Sequence, residues 1–273
     1  MRERNGRLAQ RRIAVAGLNV HYRVSTRPVP AERPPVVLVH GYGMSSRYMV
    51  PLAEALASDF QVYAPDLPGF GRSDGPKRVL DIPELADALA AWMTSLGIGP
   101  AVLIGNSLGC QILVELALRD GERVTCLVLQ APTPDPAARS ARQQIVRQAL
   151  NVRHDATARM GWIAVGDFLR AGPRRLLLTL GHLLRHRIED RLTQVRVPAL
   201  VLRGTRDPVV PRAWARHAAD LLPQGRLIED AGAAHIMNFH APEQFARIVR
   251  RYVGLGRVSP AFQRKGRRWR RPA

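Results

Sequence analysis

Ala101-Val-Leu-Ile-Gly-Asn-Ser-Leu-Gly-Cys110 sets four apolar residues, the pattern Gly-x-Ser-x-Gly and the start of a helical run in succession. That order predicts a strand that turns sharply into a helix with Ser107 at the turn, a nucleophile elbow. Such a turn thrusts the serine hydroxyl out of the sheet and aims the following backbone N–H groups into the same space. Gly105 and Gly109 make it possible, because only a residue without Cβ escapes the neighbouring backbone there. The pentapeptide by itself is a weak signal, and the strand before it and helix after it give it weight.

Strand and helix alternate on both sides of this stretch. Val36-Val-Leu-Val-His-Gly-Tyr-Gly43 is a continuous apolar run ending in glycines, as expected of a strand buried on both faces. Residues 45–58 have helical spacing, and Phe60–Pro65 reads as a short strand running into the loop Asp66–Asp74. Leu80–Leu96 predicts an amphipathic helix entered near Asp81, with Pro83 in its first turn and Gly97 as its stop. At the N-terminus, two alternating runs about Gly17-Leu-Asn19 predict a hairpin. After the elbow, a helix over 107–119 and a strand over Val124–Gln130 complete a βαβ rhythm.

The rhythm implies an α/β fold with a mostly parallel, eight-stranded sheet and helices on both faces. It stops between Ala131 and Val197, where Pro132, Pro134 and Pro136 mark an exit from the sheet and only helical patterns follow. A helical lid is therefore expected after the sixth strand. Its apolar run Leu176-Leu-Leu-Thr-Leu-Gly-His-Leu-Leu184, bracketed by Arg, is read as a helix packing over a pocket in preference to one lying on a membrane. Strands at Pro198–Arg203 and Gly225–Glu229 and helices at Arg212–Leu222 and Pro242–Val253 close the chain. The expected organisation is a core of 1–133 and 197–254, a cap of 134–196, and a basic C-terminal tail, 255–273, with too few apolar residues to pack.

A chain of 273 residues suits one large α/β domain with an insertion. Basic residues number 41 against 22 acidic, a net charge of +19, and the excess is concentrated at the ends and in the lid. From Gly254 onward there are seven Arg or Lys and no acid. The tail is read as a solvated extension with at most weak contact to an anionic surface, and no nucleic-acid partner is expected. Cys110 and Cys126 fall in elements that should be buried, which favours small core residues over a disulfide or metal pair. No apolar segment follows the charged N-terminus and none is long enough to span a bilayer, so a cytoplasmic location is the expectation.

A serine hydroxyl needs a base within reach and a third group to orient that base. In an open parallel sheet the reactive crevice lies at the carboxyl ends of the strands. Ser107, Asp207 and His235 each follow a predicted strand, in the chain order Ser, Asp, His. Further motifs are His40-Gly-Tyr-Gly43, Asp66-Leu-Pro-Gly-Phe-Gly-Arg-Ser73 and Gly204-Thr-Arg-Asp207.

With these motifs the chain, from Ile13 to Val253, resembles the α/β-hydrolase superfamily of serine hydrolases, in a lidded branch similar to esterases or to carbon–carbon hydrolases. The resemblance implies that Ser107 is the nucleophile, His235 the base and Asp207 its orienter. It also implies an oxyanion hole from the backbone N–H groups of Tyr42 and Leu108. Substrate contacts are expected from Tyr42, Trp162, Phe168, Leu180 and Ile236; no cofactor and no metal are expected.

Two positions depart from the pattern: Cys110 stands where a further Gly is common, and His240 where an acidic residue often follows the histidine. His40 is read as a structural histidine bonding backbone, and Asp66 as a brace for its loop. His182 and His186, four apart, are read as a solvated or pocket-lining pair because a third metal ligand is missing. The activity this implies is hydrolysis of a carboxylic ester of a small-to-medium hydrophobic substrate through an acyl-enzyme. Lactone, thioester and carbon–carbon hydrolysis are alternatives on the same residues. Gly-Asn-Ser at the elbow resembles the carbon–carbon group, whereas His-Gly-Tyr-Gly and Ile236 do not. Ser107 argues against the dehalogenases and epoxide hydrolases of this fold, which use Asp. A reading of another class is a non-catalytic ligand-binding or peripheral membrane protein. The natural substrate and the oligomeric state are left open.

Overall fold

The computed structural model describes residues 8–30 and 32–254, so the basic tail lies outside the described residues. Strands β1 (Leu8–Val15) and β2 (Leu18–Ser25) form the opening hairpin. Its turn is Ala16-Gly17, both at positive φ (49° and 79°), and Leu18 and Asn19 already pair with Val15 and Ala14. The turn therefore falls just before the predicted Gly17-Leu-Asn19, because a two-residue hairpin needs two successive left-handed residues.

Next come β3 (Val36–Val39), a 3-10 turn at Ser46–Met49, α1 (Val50–Leu56), β4 (Val62–Pro65) and α2 (Ile82–Ser95). The predicted helix over 45–58 is thus split into two short pieces. Asp81 caps α2 by accepting from Glu84 N while Glu84 accepts from Asp81 N, each at 2.9 Å. A reciprocal cap of this kind contributes about 1 kcal/mol. Then follow β5 (Ala101–Asn106), α3 (Leu108–Arg119) and β6 (Val124–Gln130).

Between β6 and the next strand lie α4 (Ala141–Asp155), α5 (Ala158–Arg185) and α6 (Ile188–Leu192). Gly172 (φ 74°, ψ 156°), followed by Pro173, breaks α5 into two halves. Within the apolar run of the second half, Leu183 is buried and Leu176 and Leu184 pack against the main core, while Leu177 is 70% exposed. The chain returns through β7 (Ala199–Gly204), α7 (Arg212–Leu221), β8 (Gly225–Asp230), α8 (Met237–His240) and α9 (Pro242–Val253). The short α8 has no counterpart in the sequence reading.

The eight strands form one sheet in the order β1-β2-β4-β3-β5-β6-β7-β8, antiparallel at β1-β2 and β2-β4 and parallel elsewhere. Alternation assigns each strand residue to one of two cores. Val37, Val39, Leu103 and Leu129 pack with α2, α3 and α7, whereas Val36, Leu38, Val102 and Ile104 pack with α1 and α9. Both faces are covered, which is why the central strands carry unbroken apolar runs.

Candidate active site

The turn after β5 puts Ser107 at φ 55°, ψ −115°, a conformation that costs free energy and persists only where its surroundings impose it. Those surroundings are two contacts between backbones. A Cβ on Gly105 would stand 2.7 Å from the Gly109 carbonyl carbon, and one on Gly109 would stand 2.5 Å from Val39 O. The first turn of α3 is thereby pressed against β5 and β3. Ser107 N donates to Gln130 O (3.0 Å), tying the turn to the end of β6. Leu108 opens α3, so its N–H has no carbonyl one turn back. Cys110 donates its thiol to Gly105 O (3.2 Å) and Gln130 O (3.3 Å); burial pushes its pKa well up and keeps it protonated.

Asp207 and His235 meet in the loops that follow β7 and β8. Asp207 Oδ1 accepts from Val209 N (2.8 Å) and Val210 N (3.1 Å), which leaves Oδ2 to His235 Nδ1 at 2.9 Å. Both residues are buried, and His235 Nε2 has no hydrogen-bond partner among the described residues. Burial lowers the His235 pKa, but the charge and hydrogen bond of Asp207, with a smaller contribution from Asp155, outweigh it and set the pKa above 6.5. The His235 carbonyl accepts from Gln130 Nε2 (2.9 Å) and Asn106 Nδ2 (3.2 Å). The histidine loop is therefore tied to the residue immediately before Ser107. Ser107 Oγ shares a 3.0 Å hydrogen bond with Thr133 Oγ1.

The loop after β3 begins against the elbow, where Gly109 meets Val39 O and His40 O. His40 Nδ1 donates to Gly41 O and Nε2 accepts from Leu67 N, both at 3.0 Å, and burial holds its pKa below the usual value. A histidine so engaged is neutral and structural. Burial raises the Asp66 pKa, yet hydrogen bonds from His21, Ser46 and Arg72 prevail and hold the carboxyl at about 2. Tyr42 donates its hydroxyl to Leu176 O (2.8 Å) and meets the Phe168 ring edge-on at 6.2 Å. Asp167, fully buried, accepts from Ser45 Oγ (2.6 Å) and Arg47 (3.2 Å), fastening the first half of α5 to this loop.

Of the residues expected to touch substrate, the structure brings Tyr42 and Phe168 together and places Ile236, buried, directly after His235. Leu180 is half-buried in the second half of α5. Trp162 is not brought to the group: it is 78% exposed. His182 and His186 do not form a pair on one helical face, because α5 ends at Arg185. His186 turns inward to Glu115 Oε1 (2.8 Å), while His182 lies beside Arg185.

Sequence reading missed Thr133 and the buried Asp155. Asp155 Oδ2 accepts from Ile236 N (3.1 Å) and Asn151 Nδ2 (2.6 Å), and its carbonyl meets His240 Nε2 at 2.8 Å. An acid from the end of α4 thus anchors the residue next to His235 across 81 positions. In sequence Gln130 and Asn106 read only as a strand end and part of the elbow. The Pro-rich exit is a local signal for Thr133; Asp155, the last residue of α4, has none.

A family model described as the alpha/beta hydrolase family matches residues 36–248. The chain belongs to the alpha/beta hydrolase family. Within it, one similar protein is the pimeloyl-[acyl-carrier protein] methyl ester esterase of Chromobacterium violaceum, 30% identical over 81% of this chain and 94% of the relative. A Pseudomonas savastanoi pv. phaseolicola relative, provisionally named carbamate hydrolase RutD, is 30% identical over 80% of this chain and 93% of its own. Among solved structures, the enol-lactonase of Burkholderia xenovorans LB400 superposes on this alpha/beta hydrolase with a TM-score of 0.75 at 24% identity, over 89% of this chain and all of that one. That likeness carries the fold alone.

Proposed function

We propose that this hydrolase cleaves carboxylic esters of small-to-medium hydrophobic substrates through an acyl-enzyme on Ser107. The observation that carries the reading is the buried Asp207–His235 pair, whose unpartnered Nε2 belongs to a residue tied to the elbow beside the serine. The Asp207 hydrogen bond keeps the proton on Nδ1 and the lone pair on Nε2. In the reaction Ser107 Oγ leaves Thr133 for that lone pair, and a positioned ester carbonyl is attacked as Nε2 takes the proton. Negative charge on the carbonyl oxygen is received by the N–H groups of Leu108 and Tyr42. His235 then protonates the leaving alcohol, and water, activated by the same histidine, releases the acid. The inserted segment 134–196 acts as a cap, with Tyr42, Phe168 and Ile236 nearest the scissile bond and Leu180 further along it.

The esterase name of the first relative supports an ester. A carbamate presents a similar carbonyl, so turnover of an aryl carbamate beside a p-nitrophenyl ester measures how selective the acyl site is. The direct test is mass spectrometry after treatment with a fluorophosphonate. A single adduct on Ser107 with loss of ester turnover is expected. A folded chain that neither labels nor turns over any ester would be a binding protein of the same fold.

The base role has a pH signature. Protonated His235 accepts nothing, so kcat/KM should rise with pH, with its midpoint above 6.5 because Asp207 and Asp155 hold the pKa up. A rate flat from pH 5 to 9 would remove His235 from the mechanism. Asp155→Asn retains an acceptor for Ile236 N but removes the charge, so the acid limb should move to lower pH. A change in kcat with no movement of that limb would reduce Asp155 to a structural prop.

A further inference from the structure

All the large apolar side chains that stand exposed among the described residues lie in α4 and α5, between Ile145 and Leu178. Helix α4 is inverted relative to an ordinary surface helix. Its buried residues are Gln144, Asn151 and Asp155, all polar, while Ile145 (62%), Val152 (58%) and Val146 (51%) face out. In the first half of α5, Ile163 and Asp167 are buried, and Trp162, Val165 and Leu169, spaced three and four apart, are 78, 56 and 77% exposed. By helical spacing these residues form the side opposite the buried one.

The charge on the same segment has one sign. Residues 141–185 contain eight Arg and two acids, and the acids are Asp155 and Asp167, both buried. Arg142 and Arg153 lie at the centre of the outward side of α4, among the apolar residues. Apolar protrusions with Arg interleaved, on helices whose polar sides already have partners within the protein, fit a partner that offers apolar and anionic groups side by side, as a headgroup–acyl boundary does. A second copy of a chain of net charge +19 would be repelled. Side chains that stand as far out as Trp162 (78%) and Leu169 (77%) also fit a fluid phase, which moulds to them, better than a folded protein surface.

We propose that the outward sides of α4 and the first half of α5 dock on an anionic lipid bilayer, peripherally. No helix among the described residues is long and apolar enough to cross one. The ring of Phe168, on a flank of the same half-helix, reaches Tyr42, so docking places the candidate site next to the lipid phase. The proposal stands on the surface alone and does not depend on the roles given to Ser107 and His235.

Vesicle co-sedimentation of the full chain tests it, with phosphatidylcholine vesicles with and without phosphatidylglycerol. Preferential partition onto the anionic vesicles, weakened by salt, is expected. Ile145→Glu with Leu169→Glu should reduce that partition by at least about tenfold, and Arg142→Glu with Arg153→Glu should do likewise. All four side chains are exposed, so melting temperature and turnover of a water-soluble short ester should stay at wild-type values. The segment 255–273 is unchanged in these variants, so undiminished binding by both would assign any lipid affinity elsewhere and overturn the proposal. It is also overturned if the wild type ignores anionic vesicles at low salt. A wild-type dimer in sedimentation that Ile145→Glu with Leu169→Glu dissociates, or capture of an acidic protein that those variants abolish while vesicle binding persists, would do the same.

Discussion

Ser107→Ala is expected to lower kcat on a p-nitrophenyl ester by about 10⁴- to 10⁶-fold while the protein stays folded. In barrier terms that is about 5–8 kcal/mol. The substitution removes one oxygen, whose one hydrogen-bond partner among the described residues is the Thr133 hydroxyl. The backbone at φ 55° is imposed by the Gly105–Gly109 and Gly109–Val39 contacts, and alanine leaves those contacts as they are. The melting temperature should accordingly shift by no more than a few degrees. Folded Ser107→Ala protein with most of its activity would mean that another group attacks the substrate.

The second large effect concerns the fold. Gly109→Ala puts a methyl group 2.5 Å from Val39 O and 3.1 Å from His40 O. Both are backbone atoms at the end of a central, fully buried strand, so no side chain can swing aside to make room. Helix α3 must retreat, and its retreat carries Leu108 N and the Ser107 turn with it. A loss of about 3 kcal/mol or more, read as a lower urea midpoint, should accompany loss of activity. Gly121→Ala is the control: a Cβ there meets nothing within 4 Å, and the change should fall within about 0.5 kcal/mol. Equal stability of the two variants would mean that α3 has room against β3 that the contact distances deny.

What neighbouring residues determine is legible in the sequence, and what distant residues determine together is not. The apolar runs of β3, β5, β6 and β7, the Asp81 cap and the Gly-x-Ser-x-Gly turn are written in neighbouring residues, and each is legible from a window of about ten positions. The alpha/beta hydrolase fold follows from their order. Asp155 is different in kind, since nothing within α4 says that its carboxylate will meet Ile236 N. The pairing of Ser107 with Thr133 likewise exists only once β5 and β6 lie side by side. The outward stripe of α4 departs from the usual rule in another way. A helical apolar period normally marks the side that packs inward, but here Asn151 and Asp155 claim the inner side through their partners, and the apolar residues are left outside. Trp162, expected to face substrate, shares that outward placement.

The cysteines bear on how the acyl specificity can be measured. Cys110 is locked by two carbonyls under the elbow, and Cys126 is buried in β6 with its thiol pKa pushed up to about 12. A thiolate is the form that reacts with disulfide chromogens, and neither residue offers one near neutral pH. Both are free rather than joined to each other. If a thioester is offered to the native protein, its turnover can therefore be followed continuously with a thiol-detecting dye present in the cuvette, and the colour reports released product and not the catalyst. Slow appearance of two further thiol equivalents per chain would then serve as an optical count of unfolding in the same sample.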